Sequence, residues 1–594
     1  MGKKKVVTKE KRKQKKSEKT DEEKEENKAD FYLDDADADL AYNSSDLEES
    51  EHGSELDFDE NEYVSSEEEE EEEGKKETEE KKEKKMTKAE LKKLIQKASS
   101  GVEMSLTKII ILFGKVTNPN TTFEPDDDNV DDKNKNVLSN QKVISKLIKF
   151  CIETLPDVLN KKLNDKNESV SLQYKKMIKR YIAIIARYIK TCETTMKNFI
   201  FSKIDLISNM IFLFANFTEV FLKQAIQIWS TNPSNEIGQS CLAFIKTLII
   251  QNPKFYEYAI KIFYINYLEI AKAMNFNSYS QIEKLQEDII SILNIDLQKA
   301  YLTIFTFIRK LCIQLRMTIV DKTSSSIKSI YNWQFVNSLI LWSRVIIAYA
   351  DNEDIALLDY PLIQTIIGVI RLNYSETFYL LRIRLAMILN AISKASNIYI
   401  PTAMYILPIL KSNYFIEKCK VVKENSKKEK ENNENRGNNK EKSKINQRIN
   451  VLINLKIKKE EYKLKQIRKD LLEECCDCII EFLSINANRI SFDEIAYGVL
   501  KEMRAALKGI YDKEYRMIIK SRMELIESNM KTLHETLLSN KENVNLTKPE
   551  SIDSFESNFL KQCEFIKEYD NIQHRRKANF EAIQHQKENT FIEV

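Results

Sequence analysis

The chain has 594 residues, of which 42% are hydrophobic and 31% charged, so it carries enough apolar material for a core. Only 10 Gly and 9 Pro occur, well below the average usage of about 7% and 5%. Sheets joined by tight turns need those residues, so their scarcity excludes most β architectures and predicts an all-α fold. The net charge is +2, but it is unevenly distributed.

Three features of the sequence indicate the cellular compartment of the protein. The basic start is not followed by an apolar segment, so we do not expect secretion. Charge-free apolar stretches stay short of the roughly 18 residues that a membrane span needs, so no membrane partner is expected. Nine cysteines at irregular spacing indicate reduced thiols in an intracellular protein.

Two opposite blocks of charge make up the predicted N-terminal arm, residues 1–85. Residues 1–20 have a net charge of +8, residues 21–73 one of −24, and +18 is left for residues 74–594. Such an arm has too little apolar surface to fold alone, which predicts disorder. The acidic block either competes with RNA for the basic body or only keeps the chain soluble.

A basic run within the first 20 residues has the composition of a nuclear import signal. It predicts a location in the nucleus, including nucleolus and nucleoplasm. Its members are Lys9, Lys11, Arg12, Lys13, Lys15 and Lys16.

A helical body is predicted for residues 86–420. Thr87 and Glu90 have the spacing of a capping box, which marks a helix start. Consecutive helices without strands predict stacked helix pairs, as in HEAT or armadillo-like solenoids. No clean repeat period is visible, so the solenoid is inferred from fold class and length.

Two segments of this body show a clear helical period. The first apolar stripe consists of Tyr301, Ile304, Phe305, Ile308, Cys312, Leu315 and Ile319. The second consists of Leu381, Leu385, Ile388, Leu389 and Ile392. Both stripes are predicted to face the core.

Seven side chains near these stripes are candidates for contact with a partner or RNA. The five arginines either tie helices together within the chain, which we favour, or bind phosphate or a protein partner. The two aromatic residues are more typical of a core, although a partner groove would also use them. The candidates are Arg309, Arg316, Trp333, Phe335, Arg371, Arg382 and Arg384.

Three segments are predicted after the body. Residues 421–447 form a disordered low-complexity insert rich in Lys, Asn and Glu. Residues 448–540 continue the solenoid as helical hairpins, one of which begins at a capping box of Ser491 and Glu494 and turns near Gly509. Residues 541–594 close the chain as a polar tail.

Cys475, Cys476 and Cys478 resemble part of a zinc site, but structural zinc needs four ligands and no second pair follows. Cys475 and Cys478 share a helical stripe with four apolar residues, Ile467, Leu471, Ile479 and Phe482, and buried free thiols behave as small hydrophobic groups. We therefore favour core packing and expect no metal and no cofactor.

The sequence contains none of the motifs of phosphate-loop, serine-hydrolase, zinc-protease or dinucleotide enzymes. Catalysis normally leaves a polar cluster in an identifiable pocket. We therefore expect a protein that is not an enzyme and has no small-molecule substrate.

Three ordered segments carry a resemblance to a known family. They are residues 297–316 (LQKAYLTIFTFIRKLCIQLR), 329–346 (SIYNWQFVNSLILWSRVI) and 360–410, which begins YPLIQTIIGVIRLNYSETF and contains IYIP. These segments resemble the nucleolar complex protein 2 family. The resemblance implies a non-enzymatic factor of large ribosomal subunit assembly, with HEAT-like repeats. It also implies pairing with a sister nucleolar complex protein on pre-ribosomal particles and contact with rRNA during processing and export.

Two other functions fit a long, basic helical protein. One is a HEAT-type nuclear transport adaptor, although adaptors of that kind carry arrays of Trp and Asn, and only three Trp occur here. The other is a histone- or chromatin-binding protein that uses its acidic arm.

Overall fold

The computed structural model describes residues 88–117, 141–163, 168–416, 449–539 and 547–592. Within these ranges every regular element is helical, and the helices stack into an all-α solenoid, as predicted. The arm, its import run and the 421–447 insert lie outside the described residues.

The helices of the first part of the solenoid run from residue 88 to residue 372. In chain order they are α1 (Lys88–Ser99), α2 (Glu103–Thr117), α3 (Gln141–Glu153), α4 (Leu155–Leu163), α5 (Glu168–Thr191), α6 (Thr194–Ser202), α7 (Ile204–Ile211), α8 (Ala215–Thr231), α9 (Glu236–Gln251), α10 (Tyr256–Ile270), α11 (Phe276–Leu293), α12 (Leu297–Asp321), α13 (Ser324–Ile330), α14 (Trp333–Ala348), α15 (Glu353–Ala356) and α16 (Asp359–Leu372).

The second part of the solenoid follows without a break in the stacking. Its helices are α17 (Tyr379–Ser396), α18 (Ala403–Leu410), α19 (Asn413–Ile416), α20 (Lys465–Ile485), α21 (Phe492–Gly509), α22 (Lys513–Ser539), α23 (Pro549–Gln562) and α24 (Lys567–Ile592).

Helices stack in two layers. In one layer α5, α8, α10, α12 and α16 each pack on the next, and in the other α11, α14, α17 and α20 do the same. Gly368 of α16 lets that helix approach α12 closely, because a Cβ there would lie 2.7 Å from Cδ2 of Leu315. Layered pairs of this kind are the architecture of HEAT-like solenoids.

The first apolar core fills the space between the layers from α1 to α17. At its centre Trp342 is fully buried, with its ring centroid 5.5 Å from Phe307 and 5.1 Å from Tyr264. Tyr267 donates to the backbone carbonyl of Asn337 at 3.0 Å, which satisfies a polar group inside the core.

Helix α17 belongs to two cores at once. The predicted stripe, which includes Leu381, Leu385 and Ile392, faces the first core as expected. The opposite side, with Leu380 and Ile383 among its residues, packs into a second core formed with α18 and α20–α24. A helix that is apolar all round is a buried helix, so α17 joins the two parts of the solenoid.

The C-terminal segment differs from the sequence prediction in two ways. Helices α21 and α22 form the expected hairpin, but the Ser491 side chain makes no capping hydrogen bond. Residues 541–594, expected as a polar tail, contain α23 and α24, which bury Phe555, Phe559 and Ile572 in the second core. A few well-placed apolar residues are enough to dock a mostly polar helix.

Helix α24 is fastened to α20 by buried charges. Arg576 is only 6% exposed and pairs with Glu474 (Nε to Oε2, 2.8 Å) and with Glu481, which is fully buried. Gln573 also donates to Glu481, at 2.8 Å. Burial lowers the pKa of Arg576, but the charges of Glu481 and Glu474 outweigh it and raise the pKa above its ordinary value. Burial also raises the pKa of Glu481, although the charge of Arg576 lowers it. Arg576 is therefore charged in the folded state.

Phe580 extends α24 back to the first core. Its ring centroid lies 4.7 Å from that of Tyr279 and 5.4 Å from that of Phe276, both in α11. Ile572, two turns earlier, belongs to the second core. The last helix thus spans the junction of the two cores as a strap.

By length and composition, residues 353–372 are apolar enough to cross a membrane, although half of that segment is buried inside the fold. In the structure the segment is α15 and α16, and α16 packs against α12, α14 and α17. Core helices of globular proteins pass the same test, and this is the position of a core helix.

Candidate interaction surfaces

One side of α12 is apolar and exposed. Leu302, Phe305 and Val320 are 60%, 42% and 64% exposed, and Arg309 and Arg316 stand between them, also exposed. At 100° per residue these five positions fall within an arc of about 60°. We call them the α12 face; along the helix it is about 27 Å long.

The α12 face departs from the stripe predicted for this helix. Ile304, Ile308 and Leu315 are buried as predicted, but Phe305 and Ile319 were wrongly assigned to the core and are exposed. The core positions that the prediction missed are Ala300, Thr303, Phe307, Leu311 and Thr318. Because α12 is apolar on both sides, periodicity alone could not separate the buried side from the exposed one.

Two more exposed apolar residues belong to the segment that packs on α12. Helices α15 and α16 pack against α12, and Leu357, directly after α15, and Tyr360 in α16 are 65% and 72% exposed. An apolar surface with arginines among its residues is typical of a protein interface, since an isolated solvated helix face would be polar.

Two of the remaining candidate arginines contact tyrosines within the solenoid. Arg371 donates to the Tyr405 hydroxyl at 3.2 Å, which ties α16 to α18. Arg382 is buried beneath Tyr374, with its guanidinium 4.7 Å from the ring centroid. Burial lowers the pKa of both Arg382 and Arg384. For these three the intramolecular interpretation fits their surroundings.

The candidate aromatic residues also point inward. Phe335 is 3% exposed and lies in the first core, and Trp333 is half-buried against the same core. Phe335 and Arg382 are 3% and 5% exposed, which agrees with the core and intramolecular alternatives given for them. Of the seven candidates, Arg309 and Arg316 are the two that lie on the α12 face.

A second surface was missed by the sequence analysis. Helices α1–α5 carry 17 Lys and Arg but only 5 Asp and Glu, a net charge of +12. We call these helices the basic end. Counting charge by segment would have found it, because most of the +18 assigned to residues 74–594 is concentrated here.

The three clustered cysteines of α20 lie inside the second core. Burial raises the pKa of Cys476 to about 12 and those of Cys475 and Cys478 well above the ordinary value. The Asn390 side chain donates to the Cys478 carbonyl at 3.1 Å. The thiols are therefore protonated packing groups, and no three His, Cys, Asp or Glu side chains of the described ranges are grouped as metal ligands.

A cavity of about 590 Å³ lies between α20, α22 and α24. Its charged groups pair with one another: Asp477 lies 2.8 Å from Arg522 and 3.3 Å from Arg575. The cavity is thus part of the seam that fastens α24. Ion pairs cross it, and Nη2 of Arg576 is left without a hydrogen-bond partner among the described residues.

A family model matches the middle and most of the C-terminal part of the solenoid. The family model described as the Noc2p family matches residues 254–572, more than half of the chain. That range includes the α12 face and most of the second core, but not the basic end.

Curated relatives agree with the family model. Nucleolar complex protein 2 of Drosophila melanogaster is 24% identical over 328 residues, 55% of this chain and 40% of that protein. Nucleolar complex-associated protein 2 of Arabidopsis thaliana is 22% identical over 420 residues, 68% of this chain and 52% of the relative. The chain thus spans about half the length of the curated relatives it matches. Among solved structures, a circular tandem repeat protein aligns over 82% of the chain at 9% identity, but its TM-score of 0.22 supports no argument.

Proposed function

Because the chain belongs to the Noc2p family, we propose that it is a non-enzymatic ribosome biogenesis factor of the nucleolus. It acts as a helical scaffold in assembly of the large ribosomal subunit, including pre-rRNA processing and export, and moves between nucleolus and nucleoplasm. The names of its relatives, nucleolar complex protein 2 and nucleolar complex-associated protein 2, support the nucleolar role.

The main structural support for a scaffold role is the α12 face. A solenoid with two continuous cores presents a rigid surface, and Leu302, Phe305 and Val320 make part of that surface apolar. Burying such a patch against a partner is favourable at roughly 25 cal/mol per Å². We propose that the face binds a sister nucleolar complex protein.

The chemistry of the face specifies the partner's surface. Arg309 and Arg316 lie among the apolar residues, and a guanidinium pairs best with a carboxylate in bidentate geometry. The partner element that fits is an amphipathic helix with apolar residues on one side and Asp or Glu at its edge.

The test is a tagged pull-down of the full chain from nuclear extract, read by mass spectrometry and by sequencing of the bound RNA. We expect a sister nucleolar complex protein together with large-subunit precursor rRNA. Import factors with varied cargo would instead indicate the transport adaptor, and histones lost on deletion of residues 21–73 would indicate the chromatin-binding protein.

A double variant locates the docking surface. Phe305→Ser with Val320→Ser should reduce recovery of the sister protein at least tenfold while the Tm stays unchanged, because both side chains are exposed. The matched control is Leu538→Ser with Leu560→Ser, two exposed apolar residues at the C-terminal end. Equal recovery with both double variants would exclude the α12 face as the docking surface.

A further inference from the structure

The basic end keeps most of its charge exposed and unpaired. Eleven of its Lys and Arg side chains are exposed and form no ion pair with the described residues. They are Lys92, Lys93, Lys97, Lys108, Lys146, Lys149, Lys161, Lys175, Lys176, Arg180 and Lys190.

The charges on α5 form a single stripe. At 100° per residue, all six basic positions of this helix fall within an arc of about 140°. The opposite side, with Tyr181 and Ile185 among its residues, is buried in the first core. From Lys175 to Lys190 the stripe is about 22 Å long, which matches about six phosphates at 3.4 Å per residue of one strand.

Unpaired like charges in one region repel each other and oppose folding. A polyanion that binds this surface would neutralise these charges and so account for their presence. Contacts between basic side chains and phosphates also release counterions, which favours binding. The chain itself carries a polyanion: residues 21–73 have a net charge of −24.

The acidic segment is tethered to the basic end. Fourteen residues, 74–87, lie between residue 73 and α1, which begins at Lys88, and a connection of this length spans at most about 50 Å. A short tether of this kind gives an effective concentration in the millimolar range. The acidic segment therefore stays within reach of α1–α5, whatever else the chain binds.

We propose that residues 21–73 cover the basic end in the free protein and that RNA displaces them by binding the same side chains. This proposal rests on the proposed function, which brings the chain to RNA. The segment then acts as an internal competitor: RNA with few phosphates in reach cannot displace it, and structured rRNA can.

Carboxylate-to-lysine crosslinking of the full chain tests the occupancy directly. With a zero-length carbodiimide reagent, we expect crosslinks between Asp or Glu of residues 21–73 and Lys175, Lys176 or Lys190. Adding a 20-nucleotide oligouridylate should reduce them at least fivefold. Crosslinks spread equally over exposed lysines of the C-terminal end, such as Lys520, would overturn the proposal.

Affinity for the same oligouridylate, measured by fluorescence anisotropy, tests the competition. Deleting residues 21–73 should tighten binding at least tenfold at 50 mM salt. Reversing four charges of α5 (Lys175→Glu, Lys176→Glu, Arg180→Glu and Lys190→Glu) should remove both the binding and the effect of the deletion. An unchanged affinity after the deletion would contradict the proposal.

The matched control changes the same number of charges at the other end of the solenoid. Lys501→Glu, Lys508→Glu, Lys520→Glu and Lys577→Glu replace exposed side chains that form no ion pair with the described residues. This variant should bind oligouridylate like the unmodified chain; an equal loss would show that only net charge matters, which overturns the assignment to the basic end. The crosslinking experiment needs no ribosomal partner. It therefore tests whether residues 21–73 cover the basic end even if the pull-down recovers no pre-rRNA.

Discussion

The two ends of the solenoid use the same number of basic residues in opposite ways. Helices α1–α5 contain 17 Lys and Arg with 5 Asp and Glu, whereas α20–α24 contain 17 Lys and Arg with 19 Asp and Glu. At the C-terminal end the charges pair across helices, as Lys469 does with Glu514 at 2.7 Å. At the basic end most of them face solvent. The number of basic residues therefore indicates less about function than their pairing does.

The free-energy cost of replacing a charged side chain depends on whether that side chain is buried. Removing one partner of a buried ion pair leaves an uncompensated charge in a medium that solvates it poorly. An exposed lysine loses almost nothing when it is replaced. The comparison predicts that charge substitutions destabilise the C-terminal end and change binding at the basic end.

The largest effect is expected from Arg576→Ala. This change leaves the fully buried Glu481 and its neighbour Glu474 without their cation, and it should lower the free energy of unfolding by about 3–5 kcal/mol. Urea denaturation followed by circular dichroism measures the loss.

The adjacent arginine is the matched control for that variant. Arg575 is exposed and lies 3.3 Å from Asp477, which keeps Arg522 as a second partner. Arg575→Ala should therefore cost about 0–1 kcal/mol. Similar losses in the free energy of unfolding for the two variants would show that burial does not determine the strength of these ion pairs. That result would contradict the proposed difference between buried and exposed charges.

A smaller effect is expected from Phe580→Ala. The side chain is buried against Phe276 and Tyr279, and truncation of a buried Phe typically costs about 3–5 kcal/mol. Because Phe580 lies in the middle of α24 and docks that helix on α11, much of the loss should appear as local opening of α24, with a global cost of about 2 kcal/mol. Hydrogen exchange should accelerate in α24 and in facing residues of α11; protection lost only in α24 would contradict its role as a strap.

The smallest effect is expected at the basic end. Lys176→Glu should change the free energy of unfolding by less than about 0.5 kcal/mol, because the side chain is exposed and unpaired. Raising salt from 50 to 500 mM should increase exchange protection of α5 slightly, since screening weakens the repulsion. A loss of stability above 1 kcal/mol for this variant would mean that the basic residues have a structural task.

The sequence predicts the central helices well. The stripe of α17 and the stripe of α20 are buried as their periodicity indicates, because a helix inside the fold leaves a strong apolar pattern. The hairpin of α21 and α22 also forms. The scarcity of Gly and Pro was sufficient for the fold class.

The C-terminal strap could not be predicted in the same way. Helix α24 is polar along most of its length, and its fastening depends on Arg576 meeting Glu474 and Glu481, which are about 100 positions away in sequence. Ion pairs of this range have no local signal. The α12 helix is a different case, since the exposed Phe305 and Ile319 fit the same helical period as the buried residues beside them.

The double membership of α17 has a consequence for how the chain can be divided. The segment 417–448 separates α19 from α20 in sequence, yet α17 and α18 lie before it and still line the second core. A peptide-bond cut within that segment therefore does not separate two domains. It leaves two fragments that both contribute buried residues to the second core. We expect them to elute together in size-exclusion chromatography and to reassemble when produced as separate chains.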